Sequence, residues 1–285
     1  MYQRIFYGII ILLLAPGSIY AQSGREKQRY YALSVIDTLH SKYLGETRTI
    51  NVYLPEGYSE DKKQTYPVIY LPDGGVQEDF IHITGLVQYN TQPWVNRFPA
   101  TIVVGIENTS RRRDCTFPVA NLDFLERMGF KKEQMPVYGG SGNYIAFIEK
   151  ELQPFIDKKY RTNASRTIIG ESLSGLLATE ILLKHRRLFN TYIIISPSLW
   201  WGGESLLAEA PQLLQQGNNQ GVKVYVGACA KDEDKIMYDD AVQLGEILKS
   251  SGIQACYDYL PEEVHATVIH QAVYNAFKLL YPLKK

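Results

Sequence analysis

Thr167–Ala178 reads TIIGESLSGLLA: a short apolar run, then a serine among small residues, then the start of an amphipathic helix. Ser172 therefore lies between a predicted strand, residues 167–170, and a predicted helix, residues 174–185. The small neighbours allow strand and helix to approach each other closely at a tight turn. We predict that this turn projects the Ser172 hydroxyl from the edge of a sheet.

Short apolar runs alternate with helical patterns on both sides of this turn. We predict strands at residues 67–71, 101–106, 192–196, 222–227 and 256–260, and helices at residues 143–157, 237–250 and 268–280. Residues 49–54 alternate apolar and polar side chains and stop at Pro55, which predicts a half-buried edge strand. Alternating strands and helices predict an α/β fold, with one doubly wound, mostly parallel sheet and helices on both faces.

The composition is that of an ordinary globular protein. The 285 residues are 45% hydrophobic and 21% charged, and 30 basic residues balance 30 acidic ones. A chain of this length forms one α/β domain without difficulty. The balanced charge gives no reason to expect a nucleic-acid partner.

The N-terminus has the pattern of an export signal. A basic residue, Arg4, precedes a short apolar run, and a small residue, Ala21, follows it. A membrane anchor is the alternative, but the run is shorter than the ~20 residues that a spanning helix needs. We predict a signal peptide at residues 1–21 and one α/β domain at residues 22–285. The mature protein is expected in the periplasm or secreted, without membrane attachment.

The chain has three cysteines, Cys115, Cys229 and Cys256, so one must stay unpaired within a chain. Cys229 follows one predicted strand and Cys256 begins the next, which would separate them too far for a bond if the strands are parallel. We predict no structural disulfide.

Ser172 is the candidate nucleophile. The usual motif at such a turn is G-x-S-x-G, and here Ser174 stands in the fifth place, followed by Gly175. One alternative is that Ser172 merely caps the following helix. Ser174 is a rival nucleophile, but it lacks the glycine two residues before it.

A serine hydroxyl needs an adjacent base, and His265 is the candidate. It lies in a loop directly after the last predicted strand, downstream of the serine, which is the chain order expected when the serine lies at a strand-to-helix turn of an α/β fold. His185 is expected to be a solvated residue at a helix end, and His270 lies within the last predicted helix. His40 and His82 precede the serine, which is not the expected order.

The third member of a triad should come from the loop after the strand of residues 222–227. That loop offers Asp232, Glu233 and Asp234, and we predict Asp232. The oxyanion should be held by the backbone N–H of Leu173 and by a donor in the glycine turn at Gly74 or Gly75. The alternative for these glycines is a plain turn. No metal and no cofactor are expected.

From about Arg48 onward the chain resembles the Putative esterase family of α/β-hydrolases. This family includes esterase D, feruloyl and acetyl esterases, and the enterobactin and bacillibactin trilactone esterases. The resemblance rests on YLPDG at residues 70–74, VVGIEN at 103–108, ELQPFID at 151–157, GESLSGL at 170–176 and SPSLWW at 196–201. The last segment is similar to the siderophore-esterase branch in particular.

The resemblance implies that Ser172 is the nucleophile, that His265 is the base, and that Trp200 and Trp201 line the rim of the cleft. Arg112 and Arg113 are candidates to hold an anionic or catecholate substrate through charge and stacking. A solvated basic loop is the alternative for both arginines.

The chain departs from the family pattern at two positions. Glu171 stands where histidine or glutamine is common, and Ala230 stands where the family often has a glutamate. The second departure leaves a Ser-His dyad without an acid as an alternative.

We therefore predict an exported, metal-free serine hydrolase that cleaves carboxylic esters through an acyl-enzyme. The small-molecule substrates are either siderophore lactones or acyl and aryl esters such as feruloyl and acetyl esters. A non-catalytic binding protein on the same fold is the alternative from another class, and an acyltransferase is a third hypothesis. The oligomeric state is left open.

Overall fold

One mixed sheet organises the protein in the computed structural model, which describes residues 31–60 and 63–283. Its strands are β1 (Val35–Ser41), β2 (Glu46–Tyr53), β3 (Tyr66–Leu71), β4 (Ile102–Ile106), β5 (Thr162–Glu171), β6 (Thr191–Ile195), β7 (Lys223–Ala228) and β8 (Gln254–Tyr259). They lie in the order β1-β2-β4-β3-β5-β6-β7-β8. β2 pairs antiparallel with both β1 and β4, and the other neighbouring strands are parallel.

Helices follow most of the strands. They are α1 (Phe80–Asn90), α2 (Arg111–Asp114), α3 (Ser141–Phe147), α4 (Gln153–Lys159), α5 (Leu173–Lys184), α6 (Ser205–Gln215), α7 (Lys235–Ser250) and α8 (Val268–Leu280). A π-helical turn, Ile148–Leu152, joins α3 to α4, so the single helix expected over residues 143–157 is three segments. From Leu33 onward the chain forms one compact unit.

The sheet separates two hydrophobic cores, because alternate residues of a strand point to opposite faces. In β3, Val68 and Tyr70 belong to the core that α5 and α7 cover. Ile69 and Leu71 belong to the opposite core, which α1 and α8 cover. Burial on both faces is typical of a parallel sheet, and it explains the continuous apolar runs in the sequence. The predicted α/β fold class is confirmed.

The prediction that residues 49–54 form an edge strand was wrong. β2 lies inside the sheet, and β1 covers its outer side with antiparallel pairing from Val35 opposite Val52 to Ser41 opposite Glu46. β1 was not expected, because its sequence VIDTLHS is mostly exposed and only Asp37 and Ser41 are buried. The edge strand thus carries the weaker hydrophobic pattern, as an edge strand often does.

Two glycines let the loop after β3 cross the end of β4. A Cβ atom on Gly74 would lie 2.2 Å from the Cα of Gly105, and one on Gly105 would lie 2.3 Å from the carbonyl oxygen of Gly74. Only glycine permits this approach. The crossing keeps Asp73 and its neighbours at the carboxyl edge of the parallel strands, where open α/β sheets bind their ligands.

The three cysteines are free. Cys256 lies opposite Tyr225 in the sheet, and Tyr225 is four residues before Cys229 in the chain.

Among residues 31–60 and 63–283, no helix has the length and apolar character needed to cross a bilayer. The same part of the chain holds no group of three or more side chains that could bind a metal ion. The predicted signal peptide at residues 1–21 lies outside the described residues.

Candidate active site

Ser172 lies at a strained turn between β5 and α5. Its backbone has φ 60° and ψ −119°, a conformation that residues with a side chain rarely adopt and that costs about 1–3 kcal/mol. Two residues earlier, a Cβ on Gly170 would lie 2.2 Å from the carbonyl oxygen of Ser174. This combination of a strained serine and a required glycine is the geometry of a nucleophile elbow.

Backbone hydrogen bonds hold Ser172 in this conformation. Its N–H donates to the carbonyl of Ile195 at the end of β6 (3.0 Å), and its carbonyl accepts from the N–H of Ser198 (3.0 Å) and from that of Leu176 (2.9 Å). The turn is therefore fixed by the neighbouring strand as well as by the helix it begins. Ser172 stands at the N-cap of α5, but its side chain makes no capping hydrogen bond.

His265 contacts Ser172 from the loop between β8 and α8. Its Nε2 lies 3.1 Å from Ser172 Oγ, which is hydrogen-bond distance for a general base. Burial lowers the pKa of His265 below its usual value, so the imidazole is neutral at pH 7 and can accept a proton. None of the other four histidines is hydrogen-bonded to Ser172, and His82 and His270 stack edge to face on each other.

Ser174, the rival nucleophile, is buried in a network of its own. Its Oγ donates to Asp73 Oδ2 (2.6 Å) and accepts from the N–H of Glu171 (2.9 Å). Arg111 binds the same Asp73 carboxylate through two hydrogen bonds (2.7 and 2.8 Å) and also donates to the carbonyl of Glu171 (3.0 Å). Burial alone would raise the pKa of Asp73, but Arg111 and these hydrogen bonds hold it below its usual value.

The carboxylate that contacts the loop of His265 is Glu233, which accepts a hydrogen bond from the His265 backbone N–H. Asp234 caps α7 by accepting from the N–H of Met237 (2.9 Å). Asp232, the acid predicted from sequence, is exposed and makes no hydrogen bond to His265. Within the described residues, the His265 Nδ1 atom is buried and has no hydrogen-bond partner. The arrangement is that of a Ser-His dyad.

A second carboxyl group lies beside the ring nitrogen of His265 that faces Ser172, and the residues predicted for the site from the sequence did not include it. Glu171 Oε1 is 3.2 Å from His265 Nε2. Burial raises the pKa of Glu171 to about 8, so the group is largely uncharged at neutral pH. The sequence did contain a signal for Glu171: this residue directly precedes Ser172, and it differs from the histidine or glutamine that is common there in the family.

One of the two predicted oxyanion donors is available. Leu173 is the first residue of α5, where a backbone N–H has no partner within its helix. The Gly74 N–H, in contrast, donates to the carbonyl of Ile106 (3.0 Å), and the Gly75 N–H donates to the Glu78 carboxylate (2.6 Å). The glycine turn therefore serves to fix the loop after β3, and the Leu173 N–H remains the candidate donor beside Ser172.

A cavity of about 490 Å³ opens next to Ser172. Of the predicted substrate-binding residues, Arg112 and Trp200 line it, together with Leu173 and Ser198. Arg112 is exposed, and its guanidinium forms no ion pair with any described residue. The cavity thus combines an unpaired cation with an indole wall.

Arg113 and Trp201, the other two residues predicted to bind substrate, do not line the cavity. The Arg113 side chain is bound to Glu46 and Asp114. Trp201 is fully buried, and its Nε1 donates to the carbonyl of Phe117 (2.9 Å). Adjacent residues in a turn face in different directions, which the sequence could not show.

Ser198 is a further residue at the site that sequence reasoning did not single out. Its Oγ lies 3.3 Å from Ser172 Oγ, and it lines the cavity. It belongs to the SPSLWW segment and follows β6, which is the neighbour of β5 in the sheet. The sequence signal for Ser198 was its position as a polar residue shortly after β6, the strand beside the elbow.

Comparison with known proteins shows the family of this chain. The model of the family described as Putative esterase matches residues 41–275. Ferri-bacillibactin esterase BesA of Bacillus subtilis is 30% identical over 256 residues, which are 83% of this chain and 86% of that protein.

Two crystal structures are similar throughout the fold. An IroE-like serine hydrolase from Shewanella oneidensis has a TM-score of 0.78 and 30% identity, over 87% of this chain and 80% of that chain. The BES protein from Bacillus cereus has a TM-score of 0.75 and 25% identity, over 90% of this chain and 99% of that chain. The enzyme class expected from the sequence, a carboxylic ester hydrolase, is confirmed. The chain belongs to the Putative esterase family of α/β-hydrolases, as its sequence and its fold both show.

Proposed function

We propose that this chain is an exported serine esterase in which Ser172 and His265 cleave the ester bond through an acyl-enzyme. The observation that carries the proposal is the 3.1 Å distance between Ser172 Oγ and His265 Nε2 at a strained turn beside an open cavity. A hydroxyl at that distance from a neutral imidazole is activated as a nucleophile.

The steps follow from the positions of these groups. Ser172 Oγ attacks the ester carbonyl while its proton passes to His265 Nε2, and the Leu173 N–H stabilises the oxyanion. His265 then gives the proton to the leaving alkoxide. A water molecule, activated by the same imidazole, releases the acid and restores the free serine. Because Nδ1 has no acidic partner, the dyad relies on burial to keep His265 neutral before the attack.

We propose siderophore lactones as the substrate class. Two names among the relatives support this choice: the Bacillus protein is a ferri-bacillibactin esterase, and EstA from Aspergillus nidulans, whose fold is similar, is a siderophore hydrolase. In the cavity, the Arg112 guanidinium suits an anionic catecholate, and the Trp200 ring suits an aromatic face. Iron, where present, would enter as part of the substrate.

Aryl esters such as feruloyl esters are the second candidate, because an aromatic wall and a cavity of this size suit a single ring as well. The two classes differ in how much they need Arg112. A catecholate lactone that holds iron carries negative charge to the cation, whereas a feruloyl ester carries none in its acyl group near neutral pH.

The test compares kcat/KM for a tricatecholate trilactone, with and without iron, and for a neutral feruloyl ester. We expect Arg112→Ala to lower kcat/KM for the trilactone by about tenfold or more, since a charged hydrogen bond contributes about 1.5–3 kcal/mol. The value for the feruloyl ester should hardly change. Arg187→Ala is the matched control, because Arg187 is exposed and does not line this cavity. Faster turnover of the feruloyl ester than of the trilactone would reject the siderophore assignment.

Export is part of the proposal and has its own test. The N-terminal pattern supports cleavage after Ala21. Expression of the full chain with its N-terminus intact should yield, in the periplasmic or secreted fraction, a protein whose first residue is Gln22. Recovery of an uncut chain in the membrane fraction would favour an anchor instead.

A further inference from the structure

Two groups approach the nitrogen that must act as the base. His265 Nε2 lies 3.1 Å from Ser172 Oγ and 3.2 Å from Glu171 Oε1. A neutral imidazole nitrogen has a single lone pair, so it can accept a proton from only one of them. Whether Glu171 holds a proton therefore decides whether Ser172 can donate to the base.

The surroundings of Glu171 favour its protonated form. Its side chain is 16% exposed, and Oε1 makes no well-aligned hydrogen bond within the described residues. Burial raises the pKa of Glu171 to about 8. Among the charged groups that face it, Arg111 favours the carboxylate, while Asp73 and Asp79 oppose it. Arg111 is already bound to Asp73 by two hydrogen bonds, which limits its effect on Glu171.

The surroundings of His265 favour its neutral form. Burial is the largest influence and lowers its pKa, and Arg111 lowers it further. Glu233 and Asp234 act in the opposite direction, but they do not restore the usual value. Near neutral pH, burial therefore favours a neutral imidazole and a protonated carboxyl group, and Oε1 of that carboxyl group lies 3.2 Å from Nε2.

We propose that Glu171 is a positioning residue that shares one proton with His265 Nε2, so that the esterase becomes active only when the pair loses this proton. The inference rests on the proposed roles of Ser172 and His265. It adds Glu171 to the site, at a position where histidine or glutamine is common in the family that the sequence resembles.

The protons balance at each step. While the pair holds its proton, the Glu171 carboxyl donates to Nε2, and the Ser172 hydroxyl cannot. Loss of that proton to solvent leaves a carboxylate beside a free nitrogen, which then accepts the proton of Ser172 as Oγ attacks. The imidazolium that forms lies next to the Glu171 carboxylate, which stabilises its charge. The imidazolium finally gives its proton to the leaving alkoxide.

The pH dependence follows from the direction of both pKa changes. In the wild type, kcat/KM should rise with pH around a midpoint near 8, the value to which burial raises the pKa of Glu171. Without the carboxyl group, the midpoint should fall to the pKa of His265 alone, which burial lowers below the ordinary histidine value of 6.5. Glu171→Gln should therefore be faster than the wild type by about tenfold at pH 6.5, and equal or slower at pH 9.

The experiment measures kcat/KM for a p-nitrophenyl ester and the rate of fluorophosphonate labelling of Ser172, from pH 5.5 to 9.5. Glu262→Gln is the matched control, because Glu262 is an exposed carboxylate in the same loop as His265 and should leave the profile unchanged. A gain of activity at low pH cannot come from structural damage, which lowers activity at every pH. A profile of Glu171→Gln that coincides with that of the wild type would overturn the inference.

A second measurement does not need activity. In Ser172→Ala, the NMR signals of the His265 ring should show two titration steps, the upper one near the pKa of about 8 raised by burial at Glu171. A single step at or below the ordinary histidine value would overturn the inference even if Glu171→Gln proved too unstable to assay. Absence of labelling in the wild type at any pH would instead reject the proposed function itself.

Discussion

At Gly170, the absence of a side chain allows the elbow to form. A Cβ at this position would lie 2.2 Å from the carbonyl oxygen of Ser174, which belongs to backbone and cannot move aside cheaply. We expect Gly170→Ala to lower the free energy of unfolding by about 3 kcal/mol, because overpacking of a fixed backbone is costly. Denaturant titration measures this change.

Gly85→Ala is the control for this substitution. Gly85 is exposed in α1, and no atom lies within 4 Å of the place its Cβ would take. Alanine favours helix over glycine, so this variant should gain about 0.5–1 kcal/mol. A loss of stability of similar size in both variants would contradict the account of the elbow.

We predict that Ser174 stabilises the elbow and that Ser172 performs the chemistry. Ser174→Ala removes the donor to Asp73 and the acceptor of the Glu171 N–H, which should cost about 1–3 kcal/mol of stability. Fluorophosphonate should still modify Ser172 in this variant, as peptide mass spectrometry would show. Loss of the label in Ser174→Ala together with its persistence in Ser172→Ala would reverse the two roles.

Among the secondary-structure elements, those with strong hydrophobic patterns could be predicted from the sequence. β3, β4 and β6 are buried on both faces, and their continuous apolar runs predicted them as strands. β1, α1 and α6 were missed for physical reasons: β1 is an exposed edge, α1 contains β-branched residues in a weak helical pattern, and α6 contains Pro211. These elements are stabilised by tertiary packing, and that packing cannot be recognised from their local sequence.

The loop that carries His265 depends on an acid from the neighbouring loop. Glu233 accepts a hydrogen bond from the His265 backbone N–H, whereas Asp232 makes no hydrogen bond to that residue. Loss of this hydrogen bond should loosen the base, so we expect Glu233→Ala to lower kcat by about tenfold. Steady-state kinetics should show a smaller loss for Asp232→Ala. The reverse order would support the acid that was predicted from the sequence.

On the scale of the whole molecule, the site is assembled from loops far apart in the chain. Ser172 follows β5, Asp73 follows β3, Trp200 follows β6 and His265 follows β8, and the parallel strands bring all four to one edge of the sheet. Because topology decides this convergence, the sequence could predict which loops meet there.

The sequence could not predict which side chains of those loops face the substrate. Arg112 lines the cavity while Arg113 binds Glu46. Both tryptophans are largely buried, but Trp200 lines the cavity, whereas Trp201 donates to the carbonyl of Phe117. The contact of Glu171 with His265 joins residues that are far apart in sequence, and it also depends on side-chain placement. The sequence motif and the order of residues along the chain therefore predicted Ser172 and His265 as nucleophile and base. The contacts and pKa changes of Glu171 and His265 could be seen only in the structure.

The central claim is that Ser172 and His265 form the working pair of an esterase, and active-site labelling tests it most directly. The mature protein is assayed with a short p-nitrophenyl ester, treated with a fluorophosphonate and digested for mass spectrometry, beside Ser172→Ala and His265→Ala. We predict turnover and a single label on Ser172 in the wild type, and loss of about 10³-fold or more of kcat in either variant. A wild type that neither turns over the ester nor takes the label, or a label on another residue, would contradict the account.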